Sequence, residues 1–492
     1  MNPNRDNLQA LRKGILMSSL AGGAVLGQLA GVYDLSSPFQ AFVFVYVVIV
    51  GLFLSAYCEG RDIDFFSPGV GLTVLLFLYA VSSALFAETT GLTAHNDPVG
   101  DDVLTTYYFS CLAGLIGLVG GMLFAQRIKM PATGIRFPSV FLVENNKFHQ
   151  KLFWAALLLG GIFCYRLLPW FNFLNVPSYA ERALALRLER MQDSASGITE
   201  TLFTNLPLTL ILCLATLYVF TSRKRAYMIA GSVIILSYLA RNTMAGWRGQ
   251  VMAAVIIPAI FYHYRVRRIK TVAAVLSGAL VYLFVNVMSF VRSTSNLGEM
   301  YNLVQAALQS GDAKFLSFTS STELLVGTNL LRLISGINAN ESGFTYGLSL
   351  ISEFLVFIPK VLFPSRPLPL SEQFAATFYP GELEQGGGFG FFFLQEGYWA
   401  GGVLGVLVLT FVYGWCVETI FQWVKKNIHY DAVPLIYAVM YNALVLAAVR
   451  SGLFGNFKNL LMGLIPFLVV FLLPSLNRSF LCPAEKKEAE RA

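Results

Sequence analysis

Apolar runs about as long as a bilayer is thick recur along this chain from one end to the other. A helix needs about 20 such residues to cross a hydrocarbon core of about 30 Å. In lipid every backbone N–H and C=O must be satisfied inside its own segment, so repeated runs of this length mean a helical bundle. The pattern predicts an all-α, polytopic integral membrane protein of about twelve spans. They lie near 14–32, 39–57, 68–87, 105–125, 152–170, 202–221, 227–243, 250–264, 271–291, 398–422, 433–450 and 459–476. Composition agrees: 56% of the residues are hydrophobic and 13% charged, where a soluble domain carries about 25% charged.

The charges orient the bundle. With the N-terminus inside, the inner segments hold Arg5, Arg12, Lys13, the SRKR at 222–225, the RVRRIK at 265–270, Lys425 and Lys426. Short basic loops alternating with less basic ones follow the positive-inside rule and place both termini in the cytoplasm. The net charge of +7 is accounted for by that distribution and not by a nucleic-acid partner. The N-terminal run has no small-residue cleavage site and is read as a retained first span.

The run FTYGLSLISEFLVFIPKVLF at 344–363 is apolar enough to be a thirteenth span, but crossing there would put Lys425, Lys426 and the basic tail outside. It also holds Glu353, Pro359 and Lys360, so a helix lying at the interface fits better. The chain then divides into nine spans with short loops (1–291), a large outer loop with interfacial helices (292–397), three further spans (398–476) and a cytoplasmic tail (477–492).

On the outer side arginines outnumber lysines ten to three. Lysine fixes topology as well as arginine does, so the skew points to another demand. A guanidinium is a planar, permanently charged fork that meets phosphate oxygens bidentately. Arg248, Arg292 and Arg450 stand at span ends, near headgroup depth. Snorkelling of long side chains to the interface is the plainer account of any one of them; for the group, anion binding is favoured.

In SYAERALALRLERMQDSASG, Arg187 and Arg190 are three apart and would share a helix face, with Arg182 pointing elsewhere. The stretch fits an anion grip and an exposed ion-paired helix equally. The turn LARNTMAGWRGQ sets Arg248 before Gly249, which allows close approach of a ligand. In ELEQGGGFGFFFLQEGYWAGGVLG (382–405), Glu396 and Tyr398 stand at the start of the tenth span. Glu396 is a candidate general base; an acid placed at a helix N-terminus is its structural alternative.

Other chemistries find little support. The six cysteines sit singly, with no CxxC pair, so no metal site or disulfide framework is indicated. His95 is the one histidine assigned outside. Neither a phosphate-binding glycine loop nor a dinucleotide fingerprint occurs, and no cofactor is expected.

The long outer loop before the last three spans, the Arg-Gly turn, IPKVLFPSRPLPL (358–370) and GFGFFFLQEGYWAGGVLG (388–405) together resemble the Wzy-type O-antigen or oligosaccharide repeat-unit polymerases. Some members of that family carry outer loops with an Arg followed about ten residues later by Gly; Arg187 to Gly197 and Arg332 to Gly343 are similar. The resemblance implies a GT-C-like glycosyltransferase of the bacterial inner membrane, acting at the periplasmic face. It would join a glycan on undecaprenyl diphosphate to a repeat unit on a second such lipid, with a chain-length regulator as a further partner. In that scheme Arg248, Arg292 and Arg450 meet the leaving diphosphate. Arg182, Arg187, Arg332 and Tyr398 hold the second diphosphate or the glycan, Glu396 is the base, and the 344–363 segment is a lid.

The nearest alternative, an O-antigen ligase, is expected to have a histidine in the large outer loop, and none occurs between 292 and 397. A flippase or transporter would show internal repeats and charges lining its spans, and neither is found.

Overall fold

The computed structural model describes residues 35–57, 64–128, 206–221, 225–244, 248–291, 324–355, 367–384, 390–428 and 432–452, with the helix Gly14–Val25 and a few single positions. These residues are helical throughout, apart from turns and one isolated bridge, Leu92 to Pro98. The helices are α1 (Ser37–Tyr57), α2 (Pro68–Thr90), α3 (Asp101–Arg127), α4 (Leu206–Thr221), α5 (Arg225–Met244), α6 (Arg248–Phe261) and α7 (Thr271–Val291). They continue with α8 (Thr328–Asn338), α9 (Leu348–Leu355), α10 (Leu370–Phe378), α11 (Pro380–Glu384), α12 (Phe393–Asn427) and α13 (Ala432–Tyr441). A π turn, Asn442–Ala447, carries α13 on to a last helical turn, Ala448–Ser451.

Five stretches among the described residues are long and apolar enough to cross a membrane: α1, α2, α3, α12 and Val433–Arg450. Their bounds follow from local chemistry. Ser67 caps α2, its hydroxyl accepting from the Val70 N–H at 3.4 Å with Pro68 at the first helical position, and Gly91 ends the helix at φ 68°. Asp101 and Asp102 open α3 and Arg127 closes it, each sign set against the helix dipole. The expected spans at 152–170 and 459–476, and the tail, lie outside the described residues or nearly so.

One difference from expectation bears on function. The tenth span begins at Phe393, not 398, and is broken at Gly401 and Gly402, where φ/ψ are −173°/36° and 63°/−152°. A short arm, 393–400, therefore folds back on a long arm, 403–427. The arms touch so closely that a Cβ on Gly397 would stand 2.7 Å from the Val406 Cα. Within 344–363 the described residues include the helix α9, Leu348–Leu355. It leaves Leu348 and Ile351 exposed, one turn apart.

The core of the bundle is the seam between α3 and the long arm of α12. Gly114, Gly117 and Gly121 line one face of α3. A Cβ on Gly117 or Gly121 would run into the Leu407 or Phe411 carbonyl, and one on Gly414 into that of Leu118. Small residues let membrane helices approach backbone to backbone, where dispersion and not water exclusion drives association.

Tertiary contacts sort into two ends. At one, Tyr57 donates to Glu418 Oε2 at 2.6 Å and Gln126 to Oε1 at 3.3 Å. Tyr264 donates to Asp64 at 2.7 Å, and Tyr437 to the Phe66 carbonyl. Arg127, Arg265, Arg267, Arg268, Lys425 and Lys426 belong to this basic end. At the other, Ser36 and Tyr108 donate to Glu88, Ser83 to the Leu324 carbonyl at 3.0 Å, and Asn338 to Asp102 at 3.3 Å. This second end carries the short helices α8 to α11 and is the loop end.

Candidate active site

Three of the residues singled out in the sequence converge at the loop end, each from a different element. Arg248 is the first residue of α6 and is 7% exposed. A cation at a helix N-terminus runs against the dipole, which favours an anion there. Arg450 stands in the last helical turn after α13, where a cation suits the dipole, and Gly452 (φ 75°) ends that turn. Both guanidinium groups act electrostatically on the Tyr79 hydroxyl of α2, with the Tyr282 hydroxyl of α7 beside it.

Glu396 is delivered by the short arm of α12 and is 1% exposed. The Phe391 N–H donates to the Arg450 carbonyl at 2.7 Å, tying the entry to this arm onto the arginine's own backbone. The Phe392 ring stacks on Tyr79, centroids 6.4 Å apart. A Cβ on Gly452 would stand 3.4 Å from Glu396 Oε2, so the carboxylate lies against the turn that ends Arg450's helix. The Tyr413 hydroxyl donates to the Leu444 carbonyl and lies within electrostatic range of Glu396. Glu396 thus lies beside the turn that ends the helix of Arg450, and both arginines lie within electrostatic range of the Tyr79 hydroxyl. Cations there can hold phosphate oxygens, and the carboxylate can accept a proton.

The other candidates fall elsewhere. Tyr398 is 5% exposed and packs against Phe344, ring centroids 5.9 Å apart, while the Thr345 N–H donates to the Trp399 carbonyl at 2.9 Å. Tyr398 therefore joins the short arm to the segment leading into α9. Arg332, on α8, is held in a separate cluster. Its Nη2 meets Glu341 at 2.7 Å and its Nε meets Asp97 at 3.7 Å, with the guanidinium over the Phe378 ring at 4.7 Å. Tyr379 donates to Asp97 too, and burial, then that bond, raises its phenol above the ordinary value. His95 lies on the Tyr379 ring, 3.6 Å from Glu382. Arg182, Arg187 and Arg292 lie outside the described residues.

This placement makes Arg332 an anchor between the 91–100 loop and the short helices. Arg332→Ala is expected to cost about 2 kcal/mol of stability through the ion pairs and the lost ring contact. A lower thermal midpoint with unchanged binding to undecaprenyl phosphate vesicles would bear this out. Lost lipid binding at an unchanged midpoint would return Arg332 to the anion set.

Tyr79, Tyr282, Tyr413 and Gly452 were not legible as site residues. Each is an ordinary member of an apolar helix or its end, and only the packing makes it a neighbour of Arg450, Arg248 or Glu396.

Among the described residues no group of three or more metal-ligating side chains occurs. Neither a curated protein nor a solved structure matches the chain. The family described as O-antigen polysaccharide polymerase Wzy matches residues 26–478. The match takes in the α1 to α13 bundle and both ends of the site, and the protein belongs to this family of O-antigen polysaccharide polymerases.

Proposed function

We propose that polymerisation occurs at the loop end, that this end faces the periplasm of the bacterial inner membrane, and that Arg248, Arg450 and Glu396 carry the transfer. The convergence of these three residues from separate elements around Tyr79 and Gly452 is the observation that carries the reading. The orientation rests on the basic end, whose arginines and lysines belong on the cytoplasmic side. Twelve spans, a GT-C-like arrangement and cytoplasmic termini complete the proposal.

The reaction is a glycosyl transfer. Glu396 takes the proton from a hydroxyl of the acceptor repeat unit. The oxygen attacks the anomeric carbon of the glycan carried on undecaprenyl diphosphate. The anomeric C–O bond breaks, the diphosphate departs with the electron pair, and the proton stays on Glu396. Charge develops on the leaving diphosphate, which Arg248 and Arg450 meet in a site of low dielectric. Arg292 joins them at the leaving diphosphate, and the acceptor, on a second undecaprenyl diphosphate, is placed by Tyr398, Arg182 and Arg187. A chain-length regulator would act on this cycle from outside the chain.

Deletion of the gene tests the reading on a gel of the surface polysaccharide. The ladder is expected to collapse to core plus one repeat unit, because a single unit is still exported and ligated. Loss of even that unit would point to the ligase or flippase alternatives. Complementation with Arg248→Lys, which keeps the charge and loses the fork, is expected to lower elongation roughly 10- to 100-fold, as for a lost charge-assisted hydrogen bond. A wild-type ladder at wild-type protein level would remove Arg248 from the diphosphate site.

A further inference from the structure

The short arm of α12 carries polar groups that the transfer step does not use. Gln395 is fully buried, yet neither its amide nitrogen nor its amide oxygen has a hydrogen-bond partner among the described residues. Trp399 is 5% exposed, and its indole N–H also lacks a partner among them. Buried polar side chains are nearly always paired, and one left unpaired costs about 1–3 kcal/mol. Two of them, four residues apart on an eight-residue arm, share one face and flank Glu396.

We propose that Gln395 and Trp399 form a sugar-reading subsite that takes hydroxyl or acetamido groups of the repeat unit next to the bond being made. This deepens the polymerase reading and rests on it. The chemistry selects among the parts of the substrate. A diphosphate calls for cations, which Arg248 and Arg450 supply, and a polyprenyl chain calls for no polar group at all. An uncharged amide offers donors and an acceptor together, and the indole adds a donor and a flat apolar face. That set matches a pyranose ring, whose hydroxyls both donate and accept. A site built to bond hydroxyls rejects a sugar lacking them, because its own buried groups are then left unpaired.

The arm meets the rest of α12 at a glycine pair. Gly402 adopts φ 63° and ψ −152°, a conformation open to glycine alone, and a Cβ on Gly401 would meet nothing within 4 Å.

The test uses full-length protein in lipid nanodiscs. The probe is the oligosaccharide repeat unit released by mild acid from the lipid fraction of cells lacking the polymerase. Undecaprenyl phosphate is titrated separately. Wild type is expected to bind both. Gln395→Met keeps the length of the side chain and removes its polar atoms. It is expected to weaken oligosaccharide binding at least tenfold (about 1.4 kcal/mol), and Trp399→Phe to weaken it several-fold. The thermal midpoint of unliganded Gln395→Met should be unchanged or higher, since the lost groups were unpaired.

Unchanged oligosaccharide affinity in Gln395→Met would overturn the subsite. A fall in thermal midpoint together with weaker undecaprenyl phosphate binding would mark a structural role and overturn it too. Wild type that binds undecaprenyl phosphate but no oligosaccharide would also overturn it. The polymerase reading would still stand on the gel ladder.

Discussion

Glu396→Gln is expected to abolish the polysaccharide ladder while leaving the protein at its normal level in the membrane. Glutamine keeps the shape of glutamate and its capacity to accept hydrogen bonds, but it cannot take a proton. Removing a general base costs roughly 10²- to 10⁴-fold in rate, enough to reduce the product to core plus one repeat unit. The substitution also removes a negative charge next to the turn that carries Arg450. Affinity for undecaprenyl phosphate should therefore hold or rise as elongation fails. Those opposite movements separate loss of the base from general damage to the site. Glu396→Asp, which withdraws the carboxylate by one methylene, should retain part of the ladder. A normal ladder from Glu396→Gln would sink the assignment. So would an equal loss of lipid binding and elongation, which would make Glu396 a structural residue of the short arm.

The second large effect is on folding. At Gly414 the long arm of α12 approaches α3 so closely that any Cβ would collide with the Leu118 carbonyl, a backbone atom that cannot move alone. Gly414→Leu forces the two helices apart along a seam that also includes Gly117 and Gly121. Overpacking a close-packed site costs about 1–3 kcal/mol when side chains can shift, and more when only backbone can. The expected result is little or no folded protein in the membrane, with a thermal midpoint too low to measure beside wild type. Gly278→Ala serves as the control, since a Cβ there meets nothing within 4 Å. It should be neutral, or stabilising by about 0.5–1 kcal/mol, because alanine loses less backbone freedom than glycine in a helix. Gly414→Leu protein that matches wild type in level and midpoint would show that the seam does not hold the bundle together.

Much of the architecture was legible because it depends on sums along the chain. The length of an apolar run decides whether it can span a bilayer, and α1, α2, α3 and Val433–Arg450 lie where the runs at 39–57, 68–87, 105–125 and 433–450 put them. Local chemistry also marked boundaries, as with the Ser67–Pro68 start and Gly91 stop of α2. The short arm of α12 was not legible in the same way. Residues 393–400, FLQEGYWA, carry Gln395 and Glu396 and are less apolar than the span that follows, but nothing local showed that they fold back along it. Only Gly401 and Gly402 hinted at a break, and paired glycines occur in many spans.

The same division runs through the site. Arg248, Arg450 and Glu396 could be picked out one by one, because a fork of charge at a span end and a carboxylate in an apolar setting are unusual on their own terms. Their company could not. Arg332 looked equivalent to the other arginines in the sequence, yet Asp97, Glu341 and Phe378, from three different segments, hold it in a separate cluster. Tyr79 and Gly452 carry no mark of their role. Hydropathy and charge asymmetry are additive and survive in any fold that keeps the spans, so the sequence alone determined that this is a multi-pass helical protein. Which side chains meet depends on helix rotation, on close approach at glycines and on the fold-back at 401–402. Those are settled by packing between segments hundreds of residues apart, and so only the tertiary structure brought Arg248, Arg450 and Glu396 to the same end of the bundle.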